Sequence, residues 1–156
     1  MSKYIFPLAL KSITHWHKKS SPAHVGRCRH ALDFFANEGA EIYAIASGRV
    51  VWIKKDSKIG GYSKKYIFDG NRIVIKHKGG YSAYEHMKFG GVLVRFGQRV
   101  RRGQLIGLVG NTGWSSKPHL HFELFRKPDT DESEGHTVPV SFNLKRKGRC
   151  DKRCYG

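Results

Sequence analysis

The chain has 156 residues, of which 39% are hydrophobic and 26% charged, a composition that fits one globular domain and excludes a disordered chain. Its formal net charge of +17 favours polyanionic partners: nucleic acid, an anionic membrane surface or an anionic cell-wall polymer. No apolar run approaches the roughly 20 residues that span a bilayer, and residues 5–10 are too short for a signal-peptide core, so we expect no membrane span.

The elements predicted in chain order are mostly strands. Residues 1–23 are basic and irregular, and we expect this N-terminal arm to pack on the edge of the domain through its aromatic side chains. Alternating apolar residues between glycine-rich turns then predict strands, and no helical period appears between residues 30 and 126. The predicted strands cover residues 48–54, 72–77, 81–87, 92–96, 104–109 and 119–125.

Two further segments complete the predicted organisation. Residues 56–69 are polar and contain glycine, which predicts a long loop of the kind that forms the wall or lid of a site. Residues 127–156 return to polar and basic character and form a C-terminal extension. The sequence therefore predicts an all-β fold: a single domain of antiparallel sheet, residues 24–126, with basic extensions at both ends.

The cysteines do not indicate a disulfide scaffold. There are three, Cys28, Cys150 and Cys154, and an odd count without a paired spacing is unlike such scaffolds. Cys150 and Cys154 could pair, bind a metal or remain reduced in a basic tail, and the reduced state is favoured if the protein stays inside the cell.

The strongest chemical signal is a pair of histidines on the last predicted strand. Alternate side chains of a strand share a face, so Leu120 and Phe122 should face the core while His119, His121 and Glu123 face the other way. Two imidazoles so placed suit a metal site. The alternative is a pair of surface histidines on an amphipathic strand.

The motifs around this pair change the balance between those alternatives. Pro118 precedes it, the run GQLIGLVGNTG ends at Gly113, and Leu32-Asp33-Phe34 and Tyr84-Glu85-His86 lie upstream. This ordered set resembles the lysostaphin/LytM-type zinc metallopeptidases of bacterial cell walls, and the resemblance runs from about residue 24 to residue 125. It implies a groove across the sheet with Zn²⁺ at its floor and loops, residues 56–69 and 112–117, as its walls.

The resemblance also implies the roles of individual residues. Asp33 and His121 would be metal ligands, and His86 and His119 would flank the metal-bound water as the catalytic histidines. Zinc with three protein ligands keeps one position open and lowers the pKa of a bound water to about 7. One imidazole would take the proton, and the other would stabilise the oxyanion or protonate the leaving amine. Which histidine does which stays open.

The first metal ligand departs from the family pattern, His-x-x-x-Asp, because Arg29 stands four residues before Asp33. His24 begins a His-Val-Gly run that resembles the start of that motif, with residues inserted before the aspartate. His30 is the alternative, but a bulge would be needed to bring it to the face of Asp33. We favour His24. If neither residue reaches the metal, the protein would be a non-catalytic relative.

Two more residues are expected near the site. Tyr84 is predicted to share a face with His86, where it would line the substrate groove or pack beside it. Asn71 follows a turn signal, and its side chain could bond the backbone there. The resemblance instead places an asparagine close to the site. Tyr84 and Asn71 are therefore candidates for substrate binding.

The resemblance implies an endopeptidase that hydrolyses peptide cross-links of peptidoglycan, with anionic wall polymers as further partners. The alternative is a non-catalytic member that binds peptidoglycan or regulates a wall hydrolase. A nucleic-acid-binding module is disfavoured because no RNP-type aromatic motif is present. We expect a monomer acting at the cell wall, reached by lysis or another route since no export signal is recognised. Glycine bridges and D-amino-acid cross-links both remain open as substrates.

Overall fold

The computed structural model describes residues 4–17, 24–126 and 136–142, and its regular secondary structure is almost wholly strand. The strands are β1 His15–His17, β2 Leu32–Phe35, β3 Glu41–Tyr43, β4 Gly48–Lys54, β5 Gly60–Gly61, β6 Asn71–His77, β7 Gly80–Val92, β8 Arg99–Val100, β9 Leu105–Val109, β10 Gly113–Trp114 and β11 His119–Phe125. Three short 3-10 turns cover Leu10–Ser12, Gly26–Cys28 and Lys64–Tyr66. In the described ranges no helix is long and apolar enough to cross a membrane.

Nine of the strands form one antiparallel sheet, which confirms the predicted fold class. The main path runs β1-β2-β11-β7-β6-β4-β8, and β9 joins β7 to β3. A separate two-stranded ribbon pairs β5 with β10 in parallel. The strand predicted at residues 92–96 does not form. A turn stands there instead, in which the Gln98 amide donates to the Arg95 carbonyl and Gly97 adopts a positive φ of 79°.

The sheet separates a core face from a face that we call the site face, which carries Asp33, His121 and Glu85. On the core face, Phe34 pairs with Leu120 across β2 and β11, and both belong to the main hydrophobic core. Strand alternation explains this separation, as the sequence predicted for β11. The fully buried side chains of this core include Phe34, Ile42, Ile45, Ile73, Ile75, Tyr84, Met87, Ile106, Leu120 and Phe122.

The described parts of both predicted extensions pack on the same core. Leu8 is buried within it, and β1 adds an edge strand beside β2. From the C-terminal side, Phe142 stacks on Phe6 with ring centroids 4.7 Å apart. The basic tail with Cys150 and Cys154 lies outside the described residues.

Candidate metal centre

Two neighbouring strands bring Asp33 and His121 together. β2 and β11 pair antiparallel with Asp33 opposite His121, so both side chains project from the site face. His121 Nδ1 lies 2.8 Å from Asp33 Oδ1, and both residues are buried. Their pairing follows directly from strand register, because directly opposed residues on one face have neighbouring Cβ atoms.

His24 reaches this pair from outside the sheet. Its Nε2 atom lies 3.1 Å from Asp33 Oδ1 and 3.3 Å from His121 Nδ1. Residues 25–31 leave the sheet in a short excursion that contains the 3-10 turn Gly26–Cys28, and this excursion accommodates the extra residues between His24 and Asp33. Thr137 braces it: its hydroxyl donates to the Arg27 carbonyl and accepts from the His30 amide.

The three residues fit a zinc ion. Their ligand atoms, two imidazole nitrogens and one carboxylate oxygen, all lie within 4.8 Å of one another. A tetrahedral ion with bonds of about 2.0–2.1 Å places its ligand atoms about 3.3 Å apart, close to the 2.8–3.3 Å separations found here. Three protein ligands of this type leave one position open, as in catalytic zinc sites.

The other candidate for the first ligand, His30, is not part of this group. Its Nε2 atom accepts a hydrogen bond from Arg29 Nε, and its backbone amide is tied to Thr137. The structure therefore brings His24, and not His30, to Asp33 and His121.

The electrostatics of the group hold its charges in place. Burial alone would raise the pKa of Asp33, but hydrogen bonds with His121 and His24 hold it well below the usual range. Burial alone would lower the pKa of His121, but the carboxylates of Asp33 and Glu123 raise it well above the usual value. Without a metal ion, a proton on His121 thus balances part of the negative charge of Asp33 and Glu123, and a bound cation would take the place of that proton.

A second layer of side chains orients His121. Its other ring nitrogen, Nε2, lies 3.2 Å from Glu123 Oε1. Arg72 donates from one guanidinium nitrogen to Glu123, at 3.3 Å, and its Nε atom lies 3.1 Å from Glu85. When His121 is neutral, as a bound cation requires, a Glu123 oxygen that accepts from Nε2–H leaves the Nδ1 lone pair directed at Asp33 and His24.

Glu85, His121 and Glu123 form a second group with metal-binding geometry. Arg72 already forms ion pairs with both of its carboxylates. A neutral imidazole has only one lone pair, and the first group uses it at Nδ1. We therefore take the second group as a support for His121.

His86 reaches the site through an unusual backbone conformation. Between the pairs Asn71–Met87 and Ile73–Tyr84, β7 has one residue more than β6, which is a bulge. His86 lies in this bulge with a φ of 61°, the left-handed region that few residues other than glycine adopt. Its ring centroid is 4.6 Å from that of His119, and its Nδ1 donates to the Thr112 carbonyl at 2.7 Å.

His119 is held by the same loop. Its Nδ1 atom lies 2.8 Å from the Lys117 carbonyl and 3.1 Å from Ser115 Oγ, and its Nε2 atom lies 3.7 Å from Asp33 Oδ1. A carbonyl oxygen can only accept, so Nδ1 of His86 and of His119 must each carry the proton. Both neutral rings then keep a lone pair on Nε2. Burial lowers the pKa of both, that of His86 to about 3, which favours these neutral forms.

Tyr84 does not reach the site face. Its side chain is fully buried in the core, where its hydroxyl accepts from the Ile45 amide and from Ser82. The expectation that it shares a face with His86 assumed regular alternation, and the bulge breaks that alternation. Glu85 consequently projects on the site face together with His86.

Asn71 lies next to the site but makes no contact that would be open to substrate. It is fully buried, accepts from the Ser57 amide and donates to the Ser57 and Met87 carbonyls. The backbone amide of Asn71 donates to Thr112 Oγ1. Asn71 thus ties the loop before β6 to the bulge of His86 and to the loop that holds both histidines.

The two segments predicted as walls are joined to each other. Gly60 of β5 lies opposite Gly113 of β10, and the Gly113 amide donates to the Ile59 carbonyl at 2.9 Å. Around them stand exposed aromatic residues, with Phe68 exposed by 84% and Tyr62 by 72%. The sequence placed Thr112 and Ser115 only in the wall segment 112–117 and gave Arg72 no role at the site, since their contacts with the site residues come from distant strands and loops.

Comparison with known proteins identifies the family. Residues 27–134, well over half of the chain, match peptidase family M23. The chain belongs to that family. The match starts three residues after His24, at the excursion that separates this residue from Asp33. The lysostaphin-type resemblance is therefore confirmed.

Individual relatives carry both enzymatic and regulatory names. Peptidoglycan DD-endopeptidase ShyB of Vibrio cholerae is 31% identical over 115 residues, which are 74% of this chain and 24% of ShyB. Murein hydrolase activator EnvC of Escherichia coli is 38% identical over 96 residues, 59% of this chain and 19% of EnvC. The M23 chain thus spans about a quarter or less of these relatives.

A solved structure agrees with the fold. A zinc-containing peptidase from Vibrio cholerae superposes with a TM-score of 0.56 at 32% identity, covering 79% of this chain and 36% of that one.

Proposed function

We propose that this M23 protein is a zinc-dependent endopeptidase that hydrolyses peptide bonds in the cross-links of bacterial peptidoglycan. One observation carries the proposal: His24, Asp33 and His121 converge within 4.8 Å, and two further imidazoles stand beside them. A structural zinc site would have a fourth protein ligand and no need for such neighbours.

His24, Asp33 and His121 would hold the ion through Nε2, Oδ1 and Nδ1. When bound, Zn²⁺ would polarise the scissile carbonyl and bring the pKa of a coordinated water to about 7. Glu123 would fix the ring of His121 in the tautomer that this binding requires.

His86 and His119 would move the protons. A neutral Nε2 atom accepts the proton of the attacking water, and the resulting imidazolium passes it to the leaving nitrogen. Because both rings present a lone pair when neutral, only the ring that has taken the proton of the water can donate a hydrogen bond to the developing oxyanion. The Thr112 and Lys117 carbonyls keep both Nε2 atoms turned toward the site throughout.

The substrate class rests on two supports. The name of ShyB describes a peptidoglycan DD-endopeptidase, and this chain covers its matching segment. The net charge of +17 suits an anionic wall, where wall polymers would act as secondary partners.

The test uses zinc content and cleavage together. Protein reconstituted with zinc is incubated with sacculi and with soluble muropeptides that carry either glycine bridges or D-amino-acid cross-links. Products are followed by mass spectrometry. We expect about one zinc per chain and new amine termini at cross-links. His121→Ala should lose zinc and activity, whereas His119→Ala should keep zinc and lose activity by roughly 10²–10⁴-fold.

Two matched variants control for the loss of a histidine elsewhere. His30→Ala and His136→Ala should both keep zinc and activity, since neither residue belongs to the group around Asp33. Zinc-loaded wild type that leaves every cross-link intact would overturn the enzymatic proposal.

The similarity to the activator EnvC favours one second candidate, a regulator of a wall hydrolase. Such a protein would bind sacculi without cleaving them and would raise the activity of an added amidase or endopeptidase. The same incubations distinguish the two, because a regulator releases nothing on its own.

A further inference from the structure

The N-terminal strand β1 extends the site face beyond the metal centre. It pairs antiparallel with β2, with His17 opposite Asp33 and His15 opposite Phe35. Opposed residues of two strands share a face, so both histidines project on the side that carries the metal-binding group. All three residues of β1 are exposed, which leaves these imidazoles open to a ligand.

Phe35 connects these histidines to the proposed catalytic centre. The His15 ring stacks on Phe35 with centroids 4.3 Å apart and an interplanar angle of 4°. The His119 ring lies 5.1 Å from the same phenyl ring at 24°. The exposed patch therefore abuts the residue that moves protons in the proposed reaction.

The patch gathers positive charge and hydrogen-bond donors. Lys117 Nζ lies 5.3 Å from the Phe35 ring centroid, and the His15 and His17 rings are 5.2 Å apart. The pKa of His15 is lowered by burial and by the positive charge of His17 and Lys117. An anion placed among the three would relieve that repulsion and could accept from all of them.

The distance to the metal centre limits which anion can bind here. Neighbouring strands lie about 4.8 Å apart, so the patch is roughly one strand spacing from Asp33. An extended peptide advances about 3.3–3.6 Å per residue. A group of the residue adjoining the scissile amide can therefore reach the patch.

We propose that His15, His17 and Lys117 form a subsite for a free carboxylate on the residue next to the scissile amide. This inference rests on the proposed endopeptidase function and narrows its substrate. A cross-link between D-amino acids can carry such a carboxylate beside the cleaved bond, whereas a glycine bridge carries no charge there. The N-terminal strand would thus select the charged class of cross-link.

The test compares two synthetic cross-linked peptides that differ at one group, a free carboxylate or a carboxamide on the residue next to the scissile amide. We expect the wild type to prefer the free acid by about tenfold in kcat/KM, the effect of one charge-assisted hydrogen bond. His15→Phe keeps the stack on Phe35 but removes the donor, and both it and Lys117→Met should reduce that preference. Lys55→Met removes an exposed charge elsewhere and should leave the preference unchanged.

A binding measurement separates the subsite from the reaction. The ligand is a peptide that is not cross-linked and carries the free carboxylate. At millimolar concentration it should shift the imidazole NMR signals of His15 and His17 in the zinc-free protein. The same peptide with a carboxamide in place of the carboxylate should not. Equal cleavage of both cross-linked peptides would overturn the subsite and leave the endopeptidase standing. If neither is cleaved, the NMR result decides: unchanged imidazole signals overturn the subsite, and selective shifts support it while the proposed reaction fails.

Discussion

At the scale of single residues, the tautomer of His121 is the most consequential detail of the site. Only a proton on Nε2 leaves Nδ1 free for a cation, and Glu123 is the acceptor that keeps that proton there. Arg72 in turn holds Glu123 against the ring. The side chain of Glu123 therefore controls the tautomer and the orientation in which His121 meets a metal ion.

Substitution of Glu123 should weaken zinc binding in a graded way. Glu123→Ala removes the acceptor, and we expect the zinc dissociation constant to rise by roughly 10–100-fold. Glu123→Gln should fall between wild type and alanine, because an amide oxygen still accepts from Nε2–H but carries no charge. Zinc affinity is measured by competition with a chromophoric chelator, and Glu38→Gln, at an exposed position, is the control. Equal affinities in all four proteins would contradict this role.

The protonation state of the metal-free site predicts how the stabilisation of the fold by zinc depends on pH. The pKa of His121 is raised, so its contribution to stability is complete below its unfolded pKa of about 6.5 and is lost as pH rises through the folded pKa. Zinc-bound protein does not depend on that proton. The melting temperature gained from zinc should therefore increase between roughly pH 6 and pH 8.

Other titrating groups do not obscure this trend. His86 and His119 have lowered pKa values, so they destabilise the fold as pH falls, and they do so in both the metal-free and the zinc-bound protein. Asp33 and Glu123 have lowered pKa values and stay ionised throughout this window. Calorimetry with zinc and with a chelator measures the difference, and a gain that shrinks with pH would contradict the prediction.

At the scale of elements, the pairing of β5 with β10 fixes the loop that holds both histidines. Gly113 adopts a φ of 79°, and a Cβ atom there would lie 2.6 Å from both the Cα and the N atom of Gly70. Backbone atoms cannot move aside cheaply, so the two loops approach this closely only because residue 113 is a glycine.

Gly113→Ala should therefore lower the free energy of unfolding by more than the roughly 1 kcal/mol expected from a left-handed alanine alone. Gly90→Ala is the matched control, since Gly90 also has a positive φ but has open space around it. Denaturant unfolding measures both. Equal losses would show that the close approach to Gly70 carries no cost. The alanine at 113 should also reduce activity, because the Thr112 carbonyl that holds His86 is adjacent.

The elements that sequence predicted well share one physical property. β4 and β11 have the predicted bounds, and both are runs rich in apolar residues that begin at a glycine or directly after a proline, so composition and punctuation agree. The expectation that Asp33 and His121 are metal ligands came from the resemblance to a known family, since no strand was predicted around Asp33.

The parts that sequence missed arise where regularity breaks or where distant strands meet. One residue in the left-handed region turned Tyr84 into the core and Glu85 toward the site, against simple alternation. The contact of Arg72 with Glu123 depends on the register of β6, β7 and β11, which no local pattern contains. His24 was favoured from its neighbours and from an expected looped excursion, while the 3-10 turn and the Thr137 contacts that shape this excursion were not predicted.

At the scale of the whole molecule, the net charge of +17 should govern encounter with the wall more than chemistry at the site. Hydrolysis of intact sacculi should fall steeply as sodium chloride rises from roughly 50 to 300 mM, because exposed charges are screened beyond about 10 Å at 0.1 M. A small soluble cross-linked peptide should show a much weaker dependence. Release of soluble fragments measures the first and chromatography the second, and parallel salt curves would contradict a role for the overall charge.

The left-handed backbone at His86 has a practical consequence for capturing a natural substrate. Besides glycine, asparagine is among the residues best tolerated in that conformation, so His86→Asn should preserve the bulge while removing the imidazole. Such a protein would keep its zinc ligands and its wall-facing surface but turn over poorly. Immobilised on a resin, it would serve as an affinity reagent that retains uncut cross-linked fragments from a digest of whole cell walls.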